Sequence, residues 1–259
     1  MNMKTCRRFA APLAVIAALF CLSSAPAAAQ TKFVYNQNEF IKMNPVIDIQ
    51  DFTHANQPPA LDFLQCDTPV NSNSSDECFS PGDILEGISF TQSPDPDNNI
   101  LLLGTDSRGS QNPPFVLTNN NFESDFVINF DPAVNTVGLN MGCAEVDGPC
   151  STGVNVKIYG SSSALGFTSV SVTNDFDTFV GMTTSEPIER VVLEPAGGTQ
   201  QVRGVQSVYF GQTEPGAEPG GPGGSVNVPT LSEWGMIAAA VGFAFVGVFY
   251  ALRRRKASA

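Results

Sequence analysis

Val154-Asn155-Val156-Lys157-Ile158 sets an apolar β-branched side chain at every second position with a polar one between. Successive side chains of an extended strand point to opposite faces, so this pentad reads as a strand with one face in a core and one in water. Phe126, Ile128 and Phe130, with Asp125 and Asn129 interleaved, repeat the pattern. Outward from these two, the same reading gives strands near 84–91, 135–141, 166–173, 178–182, 188–194 and 205–210. Ile100-Leu101-Leu102-Leu103 is apolar throughout, as in a strand covered on both faces. Short strands parted by Gly, Pro, Asn and Asp, with no convincing helical stretch and no fixed repeat between 30 and 211, predict an all-β domain, an antiparallel β-sandwich.

The chain has 259 residues, 42% hydrophobic and 15% charged, which supports a sizeable core and excludes a wholly disordered protein. Its net charge of −12 is unevenly spread. Between Gln30 and Asn227 only Lys32, Lys42, Arg108, Lys157, Arg190 and Arg203 are basic, six against 24 acids, a charge of −18. Such a surface repels phosphate backbones, so nucleic acid is excluded as a partner.

The basic clusters stand at the two ends. Lys4, Arg7 and Arg8 precede an apolar run from Phe9 to Leu22, and Ala27-Ala28-Ala29 supplies the small residues a signal peptidase needs before Gln30. Residues 1–29 therefore read as a cleaved secretory signal, because the run falls short of the roughly 20 residues that span a bilayer. At the other end, Trp234 to Leu252 is a 19-residue stretch without charge. As a helix it would measure about 28 Å, enough to cross the hydrocarbon layer. Arg253-Arg254-Arg255-Lys256 follows at once, the cytoplasmic stop signal of a membrane helix. This topology puts the β-domain, residues 30–211, outside the cytoplasm. Residues 212–227 are too rich in Gly and Pro to pack a core and read as a linker.

Just before the apolar run stands Val228-Pro229-Thr230-Leu231-Ser232-Glu233-Trp234-Gly235. Motif, helix and basic tail, residues 228–259, together resemble the IPTL-CTERM sorting signal of Gram-negative bacteria, I-P-T-L-x-x-W-G, with Val228 in place of Ile. The resemblance implies recognition by an exosortase-like membrane enzyme, whose catalytic residues belong to that partner. It also implies transient inner-membrane anchoring with the domain in the periplasm, then a cell-surface or released protein. Pro229 removes a backbone donor and holds an extended segment, and Trp234 falls at the interface depth that favours an indole. An unprocessed tail anchor is the alternative.

The segments Phe130-Asp131-Pro132 to Val137-Gly138-Leu139, Phe179-Val180-Gly181 to Pro187-Ile188, and 204–211 resemble jelly-roll-like domains of secreted bacterial proteins. Such domains commonly carry a calcium-ligating Asp in the last strand, where this chain has Gln206 and Ser207.

Four cysteines outlast removal of the signal: Cys66, Cys78, Cys143 and Cys150. An even count in an oxidising compartment implies two disulfides. Of three connectivities, Cys66–Cys78 with Cys143–Cys150 closes two short polar loops; a four-cysteine zinc site is the alternative, but no C-x-x-C occurs. No cofactor is demanded, and structural calcium is the one left open. Asp95 and Asp97 begin an EF-hand-like spacing, but Ile100 replaces the required Gly and a strand follows, which favours a solvated turn. Asp48 with Asp51 is a second candidate pair, set against ordinary strand-edge polarity.

Catalysis has little to draw on. His54 is the single histidine, and neither G-x-S-x-G nor H-E-x-x-H occurs. The chain therefore reads as a non-enzyme, an exported structural or adhesive protein. The alternatives are a carbohydrate-binding module meeting extracellular polysaccharide, or a hydrolase built on two of the many carboxylates. Sugar faces stack on exposed rings, yet the only Trp lies in the sorting motif and the domain's tyrosines are Tyr35, Tyr159 and Tyr209.

Overall fold

The computed structural model of the chain describes residues 31–56, 63–96, 98–104, 115–121, 123–145, 150–197 and 201–213. Eleven strands and one helix follow in order: β1 (Thr31–Val34), α1 (Gln37–Met43), β2 (Asp48–Asp51), β3 (Phe63–Cys66), β4 (Ile88–Ser93), β5 (Ile100–Leu103), β6 (Val116–Asn119), β7 (Asp125–Ala144), β8 (Ser151–Tyr159), β9 (Ala164–Thr173), β10 (Thr178–Pro195) and β11 (Val202–Gly211). Every pairing is antiparallel, which bears out the all-β, sandwich-like class.

The two longest strands build the sandwich. β7 runs 20 residues straight through Asp131-Pro132, and β10 runs 18 through Pro187, where the sequence reads as four separate strands. Both change partners halfway. The first half of β7 lies between β4 and the 188–193 stretch of β10, while its second half lies between β11 and 178–183 of β10. β10 likewise pairs β1 early and β8 late. The register shift between Thr183 and Ile188 marks the crossing, so two sheet halves are joined by strands that pass from one to the other. A proline survives at each crossing because the ladder is already interrupted there.

Alternation decides which side chains meet between the halves. Ile128, Val156, Ile158, Val191 and Leu193 come from one half, and Val137, Leu139, Met141, Val180, Val205 and Val208 from the other, into a single buried cluster. All four residues of β5 are buried, as its unbroken apolar run requires.

Four strands escaped the sequence pattern: β1, β2, β3 and β6. Each has only four residues, too few for a period of two to register. The helix α1 corrects the expectation that the domain has no helical stretch. Its signal is local: the Asn36 side chain caps the helix by accepting from the Glu39 backbone N–H at 3.0 Å, and Glu39 and Lys42 sit at the ends that suit their charges. Its docking is tertiary. Gly138 and Gly181 face each other across β7 and β10, and a Cβ on either would run into the Phe40 ring. The paired glycines leave a hollow in the sheet that Phe40, fully buried, fills against Phe179 and Tyr209 at ring distances of 5.3 and 6.4 Å.

Both cysteine pairs are closed as disulfides, Cys66–Cys78 and Cys143–Cys150, with Cα separations of 5.4 and 6.0 Å. Disulfides of this kind belong to the periplasm or the extracellular space. Among the described residues no helix is long and apolar enough to cross a membrane. Ala27, Ala29 and Gln30, the linker from 214, the motif Val228 to Gly235, the run 234–252 and Arg253 to Lys256 lie outside the described residues.

Candidate functional site

A cleft of about 450 Å³ opens beside the middle of β11. That volume is in the range of small-molecule sites. Its floor comes from a bulge: Val205 pairs Met141 and Ser207 pairs Asn140, so Gln206 has no partner across the ladder. An extra residue bends the strand and re-aims its side chains, here bringing Gln206 and Ser207 to the cleft. Asn140 donates from Nδ2 to Ser207 Oγ at 3.1 Å, which fixes both buried side chains.

One wall comes from β2 and the residues after it. Gln50 is buried and fully engaged: its amide donates to the Asp51 carbonyl and, at 3.3 Å, to the Asp83 carbonyl, and its Oε1 accepts from Leu85 N–H at 2.6 Å. With Gln50 turned inward, Ile49 and Asp51 face the cleft. The Asp51 carboxylate accepts from the Thr53 backbone N–H at 3.1 Å and its hydroxyl at 2.6 Å, closing a turn.

The opposite wall holds Phe176 and Asp177. Phe176 has φ of +55°, a left-handed conformation that costs a non-glycine residue about 1–2 kcal/mol. Burial of its ring offsets the cost: the ring is fully buried over Gly142, where a Cβ would come within 2.6 Å of it. The turned backbone leaves Asp177 exposed at the rim. Gln37 of α1, which donates to the Tyr209 hydroxyl, closes the end.

The cleft thus offers planar amides, two carboxylates and the hydroxyls of Thr53, Ser207 and Tyr209, with Phe115 half-buried among them. His54 is exposed beyond the Asp51 turn and does not line it. Asp51 and Asp177 are both exposed, whereas a general acid is made by burial.

Titrations moved by their surroundings lie away from the cleft lining, at Asp125, Lys157 and the buried Arg203. Burial and then Glu194 push the Asp125 carboxyl above its ordinary value, against the pull of Lys157 and Arg203. Lys157 is raised, chiefly by its 2.6 Å bond to Glu194, and burial lowers Arg203. A carboxyl raised in the folded state binds its proton more tightly there than when unfolded. Its contribution therefore favours folding at low pH and declines as pH rises through the folded value. Asp125→Asn should accordingly raise the neutral-pH Tm, and the gain should vanish below the ordinary carboxylate range; Tm against pH for both proteins checks this.

Three of the four calcium candidates, Asp48, Asp51 and Asp95, fall among the described residues. Asp48 and Asp51 are three apart on β2, which puts them on opposite faces. Asp95 begins a turn in which its carbonyl accepts from Asn98 N–H at 3.3 Å; Asp97 lies outside the described residues. Among the described residues no three His, Cys, Asp or Glu side chains gather as a metal-holding group. Asn140, Gln206, Ser207, Phe176 and Asp177 were not legible as a site; the one hint was the polar pair breaking the apolar run 205–210.

No family model matches the chain, and no curated protein does. Similar solved structures include the following two. The structure of the CBM51-2 and INT domains of Clostridium perfringens ZmpB shares 13% identity at a TM-score of 0.28, over 44% of this chain and 26% of that one. A family 6 carbohydrate-binding module, whose binding sub-sites were dissected by crystallography and calorimetry, shares 14% at 0.27, over 60% of this chain and 95% of its own. The chain thus spans about a quarter of the first. Likenesses this distant say nothing of a ligand.

Proposed function

We propose that the chain is an exported cell-surface or released protein, structural or adhesive in role, whose β-sandwich binds a partner rather than transforming it. The observation that carries the reading is the cleft, which gathers the amides of Gln37, Asn140 and Gln206 with the carboxylates of Asp51 and Asp177. The two disulfides support export. The signal at 1–29 delivers the chain, and the helix at 234–252 holds it in the inner membrane with the domain in the periplasm. An exosortase-like enzyme then processes it at Val228 to Gly235, a step tested by the mass of the mature chain.

Carbohydrate is the ligand class the cleft's chemistry favours. Amides and carboxylates such as Asn140, Gln206 and Asp177 pair with vicinal hydroxyls, and Phe115 supplies apolar contact. Full-length protein from an exporting host should be retained by at least one member of a panel of neutral and uronic-acid polysaccharides. Asp177→Ala, an exposed change, should weaken that retention about tenfold or more with Tm unchanged, the loss of one charge-assisted hydrogen bond. Retention by none of them, or retention indifferent to Asp177, would remove the carbohydrate reading.

A further inference from the structure

The floor of the cleft holds polar groups that the fold itself leaves open. Asn140 is 9% exposed; its Nδ2 is given to Ser207, and its Oδ1 accepts from no group among the described residues. Ser207, 7% exposed, accepts that bond, and its own hydroxyl proton has no acceptor among the described residues. A side chain this deep with an open acceptor on a cleft is placed to receive a donor from whatever enters.

The walls add negative charge from both sides. Asp51 takes both bonds from Thr53 on Oδ1, which leaves Oδ2 open. Asp177, on the opposite wall, is exposed and its carboxylate bonds no described group. No Lys, Arg or His stands among the described residues that line the cleft. The open groups therefore run to acceptors and to carboxylates, and a ligand that fits them brings donors and positive charge.

We propose that the cleft selects a sugar carrying a protonated amine, a hexosamine unit without its acetyl group. The inference rests on the carbohydrate reading and names the class within it. An ammonium group supplies three donors and a positive charge, and the ring hydroxyls beside it can both give and accept at Ser207 and Gln206. Acetylation leaves the same nitrogen neutral with one N–H. A uronic acid would instead set a third carboxylate beside Asp51 and Asp177, and the −18 charge between Gln30 and Asn227 opposes it at longer range as well.

The test is calorimetric binding of the glucosamine tetrasaccharide and of its fully N-acetylated form to the full-length protein, at neutral pH and moderate salt. The free amine should bind about tenfold more tightly, as two exposed ion pairs allow. Asp177→Asn, which keeps the shape and removes the charge, should bring that ratio down about threefold. Asp175→Asn removes the same charge at an exposed position that does not line the cleft and should leave the ratio where it was. Equal binding of the two forms overturns the amine preference while the carbohydrate reading stands. So does a preference that survives Asp177→Asn or falls equally with Asp175→Asn, which is attraction to an acidic domain at large. If neither form binds, retention of the protein by another polysaccharide overturns this inference alone, and retention by none removes the carbohydrate reading with it.

Discussion

Phe40→Ala should destabilise the domain by about 3–5 kcal/mol, the cost of emptying a fully buried aromatic site. In a domain of this size each kcal/mol moves Tm by about 2–4 °C, so the drop should reach about 6 °C at least. The loss is large because the site cannot collapse. Its floor is the Gly138–Gly181 pair, with no side chains to close over the void, and its sides are Phe179 and Tyr209, each held in its own strand. The consequence extends to the cleft, because α1 carries Gln37, the donor to the Tyr209 hydroxyl. Thermal unfolding followed by circular dichroism measures the effect; a Tm within 2 °C of the parent would mean that α1 is not a working part of the core.

Removing the Cys66–Cys78 disulfide as Cys66→Ala/Cys78→Ala should cost about 3 kcal/mol, from the chain entropy that a loop of this length restores to the unfolded state. The loop entropy for Cys143–Cys150 is smaller, about 2.5 kcal/mol. The first bridge also holds more structure in place. Cys66 ends β3, which among the described strands pairs only with β5, and the Cys78 segment carries the carboxylates of Asp76 and Glu77 that accept from the backbone N–H of Asp67 and Gln65 at 2.8 and 2.9 Å. Urea unfolding should show the alanine pair shifted to a lower midpoint, with reductant shifting the parent by a comparable or larger amount because it opens both bridges. A midpoint unmoved by reductant would contradict closed bridges in the native protein.

What the sequence revealed follows from how far each signal reaches. Period-two alternation over five residues identified β8, because its buried and half-exposed residues alternate in an unbroken register with β10. Asp131-Pro132 and Pro187 looked like strand ends because proline breaks a ladder, yet each sits where β7 and β10 cross between halves and the ladder is broken anyway. The disulfide pairing was legible because the short polar loops left little geometric choice. α1 was not read despite Asn36 and Glu39, because a two-turn helix has one buried anchor, Phe40, and the hollow that receives it is made by glycines nearly 100 and more residues away. The cleft was the least legible part. It depends on a one-residue bulge at Gln206 and on Phe176 in a left-handed conformation, and neither leaves a residue pattern in a single sequence.

The most direct measurement is the intact mass of the mature protein from an exporting Gram-negative host, beside Trp234→Ala and Pro229→Ala. The account predicts a chain that begins at Gln30, has all four remaining thiols oxidised and lacks residues 234–252 in the parent, with the tail retained in both variants. A parent mass that includes the complete tail, or residues 1–29, would contradict an exported and sorted surface protein.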